Sequence, residues 1–171
     1  MSSTDQYDDA LTSPETSTSW LISHLLVAED TQLLPYCQNQ LTGLRVHVRA
    51  LFEAAVQNRP PSAAIVDAVN GNMQKISSAP ALCFNESQGF FRQHTHPVTQ
   101  LVEHAMALIA DDAAGLLAGD DADLLAQCQS EPCDRFYLRT HARRRWCSTR
   151  CGDRARAARA HARKYHQPEG N

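Results

Sequence analysis

Helical stripes of apolar residues over the first two-thirds of the chain, a proline-broken extended segment among them, and four cysteines within 24 residues before an arginine-rich run predict an α+β chain. The expected architecture is a helix-rich N-terminal domain with a small sheet, followed by a small cysteine-stapled module that ends in a basic helix. At 171 residues and 43% hydrophobic, the chain can bury one sizeable core and carry one appended module.

The elements follow in order. Residues 1–12 are polar and acidic and are expected to form a loose tail, because they bury too little apolar area to offset ordering entropy. Ser13-Pro14-Glu15 reads as a helix start, with Ser capping, Pro at the first helical position and an acid in the first turn. Trp20, Leu21 and Leu25 would face the core. Leu41, Leu44, Val48, Leu51, Phe52, Ala55 and Val56 form the stripe of an amphipathic helix that Pro60-Pro61 ends. Ser62 can cap a shorter helix through Ile65, Val66, Val69 and Met73, and Ile76 to Phe84 reads as extended, broken by Pro80. Pro97 opens a long helix in which Val98, Leu101, Val102, Ala105, Leu108 and Ile109 share a face, closing at Gly119. The expected boundaries are a tail over 1–12, a helix-rich domain over 13–121, a cysteine module over 122–166 and a tail over 167–171.

The formal charge of -3 hides a split. From Cys128 onward eleven Arg and Lys stand against four acids, a balance of +7, while residues 1–127 carry five against fifteen, a balance of -10. Such asymmetry points to an anionic partner for the basic end. No stretch approaches the roughly 18 apolar residues that span a bilayer, and the N-terminus has neither a positive start nor an apolar run. A soluble, cytoplasmic protein is expected, and without a secretion signal six cysteines point to thiol or metal chemistry rather than disulfides.

Four of the six are spaced Cys128-x4-Cys133-x13-Cys147-x3-Cys151. Two close pairs let each pair turn tightly around one metal, which is what tetrahedral closure by four thiolates needs. Phe136-Tyr137-Leu138 and Arg143 to Trp146 can form two short strands around Thr140-His141, and a helix follows Cys151. A knuckle, a hairpin and a helix whose start is straddled by Cys147 and Cys151 make a treble-clef-like zinc finger, and a helix N-terminus favours the negative tetrathiolate. Gly152 would let the backbone pass close to the thiolates. One structural Zn2+ is expected, because four thiolates leave no open position for water or substrate. The zinc deaminase signature fails, since no Cys-x2-Cys and no His-x-Glu accompany Pro132-Cys133.

The run CGDRARAARAHARKY is rich in Ala and Arg, both strong helix formers. At about 100° per residue, Arg156, Arg159 and Arg163 fall on one stripe, with Ala155, Ala158 and Ala162 turned toward the hairpin. With Arg143, Arg144, Arg145, Arg150, Arg154 and Lys164, they form a basic surface suited to nucleic-acid phosphates and base edges. Two other readings stand beside it. The helix could be a solvated basic face, or it could dock on an acidic surface of this chain or of a partner.

The stretches Arg144-Arg145-Trp146-Cys147-Ser148 and Cys151-Gly152-Asp153-Arg154 resemble the CGNR-type zinc finger, and the likeness runs from Cys128 to Tyr165. In that family the finger follows an ABATE-type domain, to which Ser13-Pro14-Glu15 through Trp20-Leu21, and Leu51-Phe52-Glu53-Ala54-Ala55-Val56 before Pro60-Pro61, are similar. The resemblance implies a bacterial transcription regulator linked to stress responses, with an α+β N-terminal domain that senses or assembles. Three features depart from the family pattern. Asp153 replaces the motif's Asn, the second cysteine pair encloses three residues rather than four, and the chain lacks the opening strand with its Asn-Thr pair. No ligand-binding residues are therefore carried over, and no effector is assigned.

The remaining features say less. His94, His96 and His104 lack a nearby Cys to complete a second metal site, Cys37 and Cys83 read as small core residues, and Trp146 reads as a hydrophobic cap over the zinc that could otherwise stack on a base. No phosphate loop, nucleophile elbow or paired-His helix motif occurs, so no enzyme is expected. The expected function is a DNA-binding regulator that joins the nucleoid when bound, able to form homo-oligomers. The alternative is an adaptor whose basic finger docks on an acidic protein such as a sigma factor or a polymerase subunit.

Overall fold

A computed structural model describes residues 9–75, 81–93 and 101–165 of the chain. They form an α+β structure of five helices and two two-stranded antiparallel sheets. In order these are α1 (Pro14–Ser23), α2 (Pro35–Val56), α3 (Ala63–Met73), β1 (Ala81–Asn85), β2 (Gly89–Gln93), α4 (Leu101–Ala118), β3 (Leu125–Gln127), β4 (Phe136–Leu138) and α5 (Thr149–Tyr165). The described residues divide into two compact units: one takes the chain up to Ala50 together with Ser62–Gly115, the other Leu51–Pro61 together with the chain from Leu116.

In the first unit α1 begins where its cap signals place it. The Ser13 hydroxyl accepts from Thr16 N–H at 3.2 Å and the Thr16 hydroxyl accepts from Ser13 N–H at 3.1 Å, a reciprocal pair that satisfies two orphan donors. Ser13→Ala is expected to lower the stability of this unit by about 1 kcal/mol, read as a shift in the urea midpoint at constant slope. The helix ends with Leu25 at φ 58, where Leu25 N–H reaches Ile22 O at 2.9 Å and Leu26 N–H reaches Leu21 O at 2.9 Å. That left-handed closure turns Leu25 outward, 91% exposed, so of the expected core trio only Leu21 is fully buried while Trp20 is half-buried.

Part of the acidic leader is held down. Asp9 Oδ1 accepts from Leu11 N–H and pairs with Arg45, and Gln38 Nε2–H donates to Leu11 O at 2.7 Å. The Leu11 N–H bond first, then the Arg45 guanidinium, holds the Asp9 carboxyl below its ordinary 3.8. The tie is therefore intact above that value and lost as pH falls through the lower folded one. Residues 1–8 lie outside the described residues.

Helix α2 starts at Pro35, earlier than its stripe required, and stops at Val56 rather than at the two prolines, because Asn58 takes φ 51 and Arg59 N–H caps Ala54 O at 3.0 Å. Leu41, Leu44, Leu51 and Ala54 are buried on it, whereas Ala55, expected in the core, is exposed. Helix α3 buries Val69, and α4 buries Val102, Ala105, Met106, Ala110 and Ala113. Leu108 lies off that face and is exposed, because the buried stripe runs through Val102, Met106 and Ala113 and is set round the helix from it. The expected start of α4 at Pro97 and the extended reading of Ile76 to Pro80 lie outside the described residues. The segment from Ala81 does form a strand, paired with β2 in the register Leu82↔Arg92 and Phe84↔Phe90, and Gly89 closes the turn at φ +70, a conformation glycine adopts without Cβ strain.

In the second unit the finger's hairpin differs from the expected one. β4 pairs with β3, in the register Leu125↔Leu138 to Gln127↔Phe136, and Arg143 to Trp146 form no strand. The ladder continues through Cys128 N–H to Arg135 O at 2.8 Å, so the first cysteine pair sits in the turn of this hairpin. Arg143–Trp146 instead lie over it by single bonds, Gln129 N–H to Arg145 O at 3.1 Å and Tyr137 O–H to Arg144 O at 3.0 Å. Phe136 meets Phe52, from the last turns of α2, edge to face at 5.6 Å between centroids.

Candidate metal centre

The four cysteines come together from three places in this unit. Cys128 ends the β3 side of the hairpin, Cys133 follows a turn in which its N–H bonds Ser130 O at 2.7 Å, Cys147 precedes α5, and Cys151 lies in its first turn. All four Sγ atoms lie within 4.8 Å of one another, with Cys133–Cys147 at 3.7 Å and Cys147–Cys151 at 3.6 Å. Zinc bound by four thiolates at ~2.3 Å requires sulfur–sulfur edges of about 3.8 Å, so the donor set fits one tetrahedral ion. Among the described residues it is the one group of metal-ligating side chains so placed.

The surroundings act on the sulfurs unequally. Cys128 Sγ accepts from Cys147 N–H at 3.5 Å, and the Ser148 hydroxyl accepts from Cys151 N–H at 3.3 Å at the helix start. Ser148, with help from the neighbouring thiols, holds the Cys151 thiol down to about 7, while burial pushes Cys133 up and Cys147 up to about 12. Four thiols this close cannot all ionise unaided, and a divalent cation supplies the missing charge.

The basic residues differ in what they touch. Arg144 donates from Nε to Trp146 O at 3.1 Å and from Nη2 to Cys147 O at 2.7 Å, with its guanidinium 4.8 Å from the Tyr137 centroid. Burial pushes the Tyr137 phenol up, against the opposing effect of Arg144. Arg154 reaches Ser130 and Cys151. Arg156 pairs with Asp153 at 2.6 Å, and both Arg156 and Arg159 lie over the Trp146 ring at 5.6 and 5.5 Å. Arg143, Arg145, Arg150 and Arg163 are exposed, and the side chain of Lys164 lies outside the described residues.

Two sequence expectations change here. Gly152 makes room for Trp146 and not for the thiolates: a Cβ there would stand 3.1 Å from Trp146 Cε3. Ala158 and Ala162 are exposed, as is every position from Arg156 to Arg163, because α5 leaves the hairpin after its first turns and stands on helix propensity. The Trp146 ring is occupied by Gly152 and two guanidinium groups, and its Nε1–H is buried without an acceptor among the described residues, the placement of a cap rather than of a free stacking platform. Sequence reasoning missed the pairing of β3, the contact of Phe52 and the inward turn of Arg154. The last was readable, since a residue three beyond Cys151 on a helix shares its face.

The family model for ABATE, described as "Putative stress-induced transcription regulator", matches residues 1–120. The chain belongs to the ABATE family. The model for the CGNR zinc finger matches residues 125–164, a span that holds all four clustered cysteines, so this ABATE protein carries a CGNR finger able to bind one zinc ion. No curated protein matches the chain. Neither family description is that of an enzyme. Among the described residues no helix is long and apolar enough to cross a membrane.

Proposed function

We propose that this ABATE protein is a DNA-binding transcription regulator acting in the cytoplasm. In this reading Cys128, Cys133, Cys147 and Cys151 hold one structural zinc, residues 13–121 serve sensing or assembly, and residues 122–166 bind DNA. The observation that carries it is the form of α5: its first turn is fixed at the thiolate cluster, and from Arg156 to Arg163 every position is exposed. A rigidly based helix bearing Arg156, Arg159 and Arg163, with Arg143, Arg145 and Arg150 near its root, offers cations at a spacing suited to successive phosphates.

A mobility-shift titration of the zinc-loaded full chain against mixed-sequence duplex DNA tests this. For four to six phosphate contacts, affinity is expected to fall by ~100- to ~1,000-fold between about 50 and 200 mM salt. Absent or salt-insensitive binding defeats the reading. The acidic balance of residues 1–127 supports a second reading, in which the finger docks on an acidic protein such as a sigma factor, a polymerase subunit or another copy of the chain. A protein partner that DNA does not displace would favour that adaptor.

A further inference from the structure

Arg154 differs from the other finger arginines in what it touches. Its Nη2–H groups donate to Cys151 Sγ at 3.3 Å and to Ser130 O at 3.3 Å, and its Nε–H donates to the Ser130 hydroxyl at 3.2 Å. Ser130 is 2% exposed and lies between Cys128 and Cys133, and its carbonyl also accepts the Cys133 N–H. One guanidinium therefore joins the turn of the first cysteine pair to a sulfur of the second. Its planar fork suits this bridging. Four thiolates around a divalent ion leave two negative charges in excess, and a guanidinium on one sulfur offsets one of them.

We propose that Arg154 is a positioning residue of the metal centre, one that sets zinc affinity and ties the two ligand pairs together, and is not a phosphate contact. This rests on the zinc-holding reading above. It also parts Arg154 from the basic surface to which sequence alone assigned it.

Zinc affinity measured by competition with a chromophoric chelator, on the reduced full chain, tests the assignment. Arg154→Ala is expected to weaken zinc binding by about 10- to 100-fold, the usual cost of removing an outer-shell partner. Arg154→Lys, which keeps the charge but loses the fork, should fall between it and wild type. Arg139→Ala, which removes a charge from the same module without touching a sulfur, should stay within about twofold. Cobalt substitution adds a readout that a merely structural role would not move: at saturating Co2+, the thiolate-to-metal charge-transfer band of Arg154→Ala should shift while the tetrahedral visible bands persist.

Unchanged zinc affinity and an unshifted band overturn the proposal. So does a DNA-binding salt slope that drops by about 0.9 in Arg154→Ala at saturating zinc, since that is the signature of one lost phosphate contact. If Arg154→Ala does not fold, Arg154→Lys and Ser130→Ala decide, each expected to weaken zinc several-fold and overturning the proposal if neither does. A wild-type chain that binds no zinc would instead remove the reading on which this one stands.

Discussion

Cys128→Ala is expected to carry no zinc where the wild-type chain carries one per molecule, and to lose the fold of the finger with it. Zinc binding to four thiolates contributes on the order of 10–16 kcal/mol in small fingers. That matches or exceeds the whole stability of an ordinary domain, about 5–15 kcal/mol. The finger has little else to stand on. Its sheet is two strands of three residues, and α5 is exposed at every position from Arg156 to Arg163. A two-stranded hairpin is marginal alone, and α5 beyond its first turns has only its own propensity, which leaves a lone helix partly frayed once its base is lost. Metal analysis of the purified variant beside wild type checks the stoichiometry, and far-ultraviolet circular dichroism before and after chelation checks the loss of α5. Retention of one zinc per chain in the variant would sink the assignment. Because zinc must displace thiol protons, and burial pushes Cys147 up to about 12 while Ser148 holds Cys151 down to about 7, loading is expected to weaken as pH falls.

The second large effect is expected from Arg156→Ala, Arg159→Ala and Arg163→Ala combined. If each arginine neutralises one phosphate, the salt slope should drop by about 2.7 and DNA affinity near physiological salt by on the order of 100-fold. Zinc content should not change, because none of the three touches a sulfur. The three are not equivalent: Arg156 already pairs with Asp153, the residue that replaces the family's Asn, so part of its charge is spent within the helix. Asp153→Asn is accordingly expected to tighten DNA binding modestly. A triple variant that binds DNA as wild type does would move the interface elsewhere on the protein.

Much of the helical architecture was legible because each helix carries its own local signals. Ser13 and Pro14 open α1 with short-range hydrogen bonds that need no tertiary partner, and the Leu41–Leu44–Leu51 stripe repeats at the helical period. Errors arose where the local signal was equivocal. Pro60-Pro61 looked like the stop of α2, yet Asn58 ends it two residues earlier through a left-handed conformation whose sequence mark is weak. Leu108 shares its expected face with Leu101 and Ala105, but the buried face is set round the helix from it, through Val102, Met106 and Ala113.

The cysteine cluster was legible for a different reason. Ligand spacing is a covalent constraint, and two close pairs can be read without knowing how the intervening chain runs. How it runs depends on partners distant in sequence. The strand Phe136–Leu138 is expected from sequence to pair with Arg143 to Trp146, but it pairs with Leu125–Gln127, in a ladder that continues into Cys128 N–H and Arg135 O. The same holds for the arginines. Composition and the 3.6-residue period placed Arg156, Arg159 and Arg163 on one stripe of a basic helix, since a helix sets the angular position of every side chain it carries. Which guanidinium groups turn inward was decided only when the Ser130 turn arrived beside Cys151 and offered Arg154 two oxygens and a sulfur, an environment assembled by residues 24 positions apart.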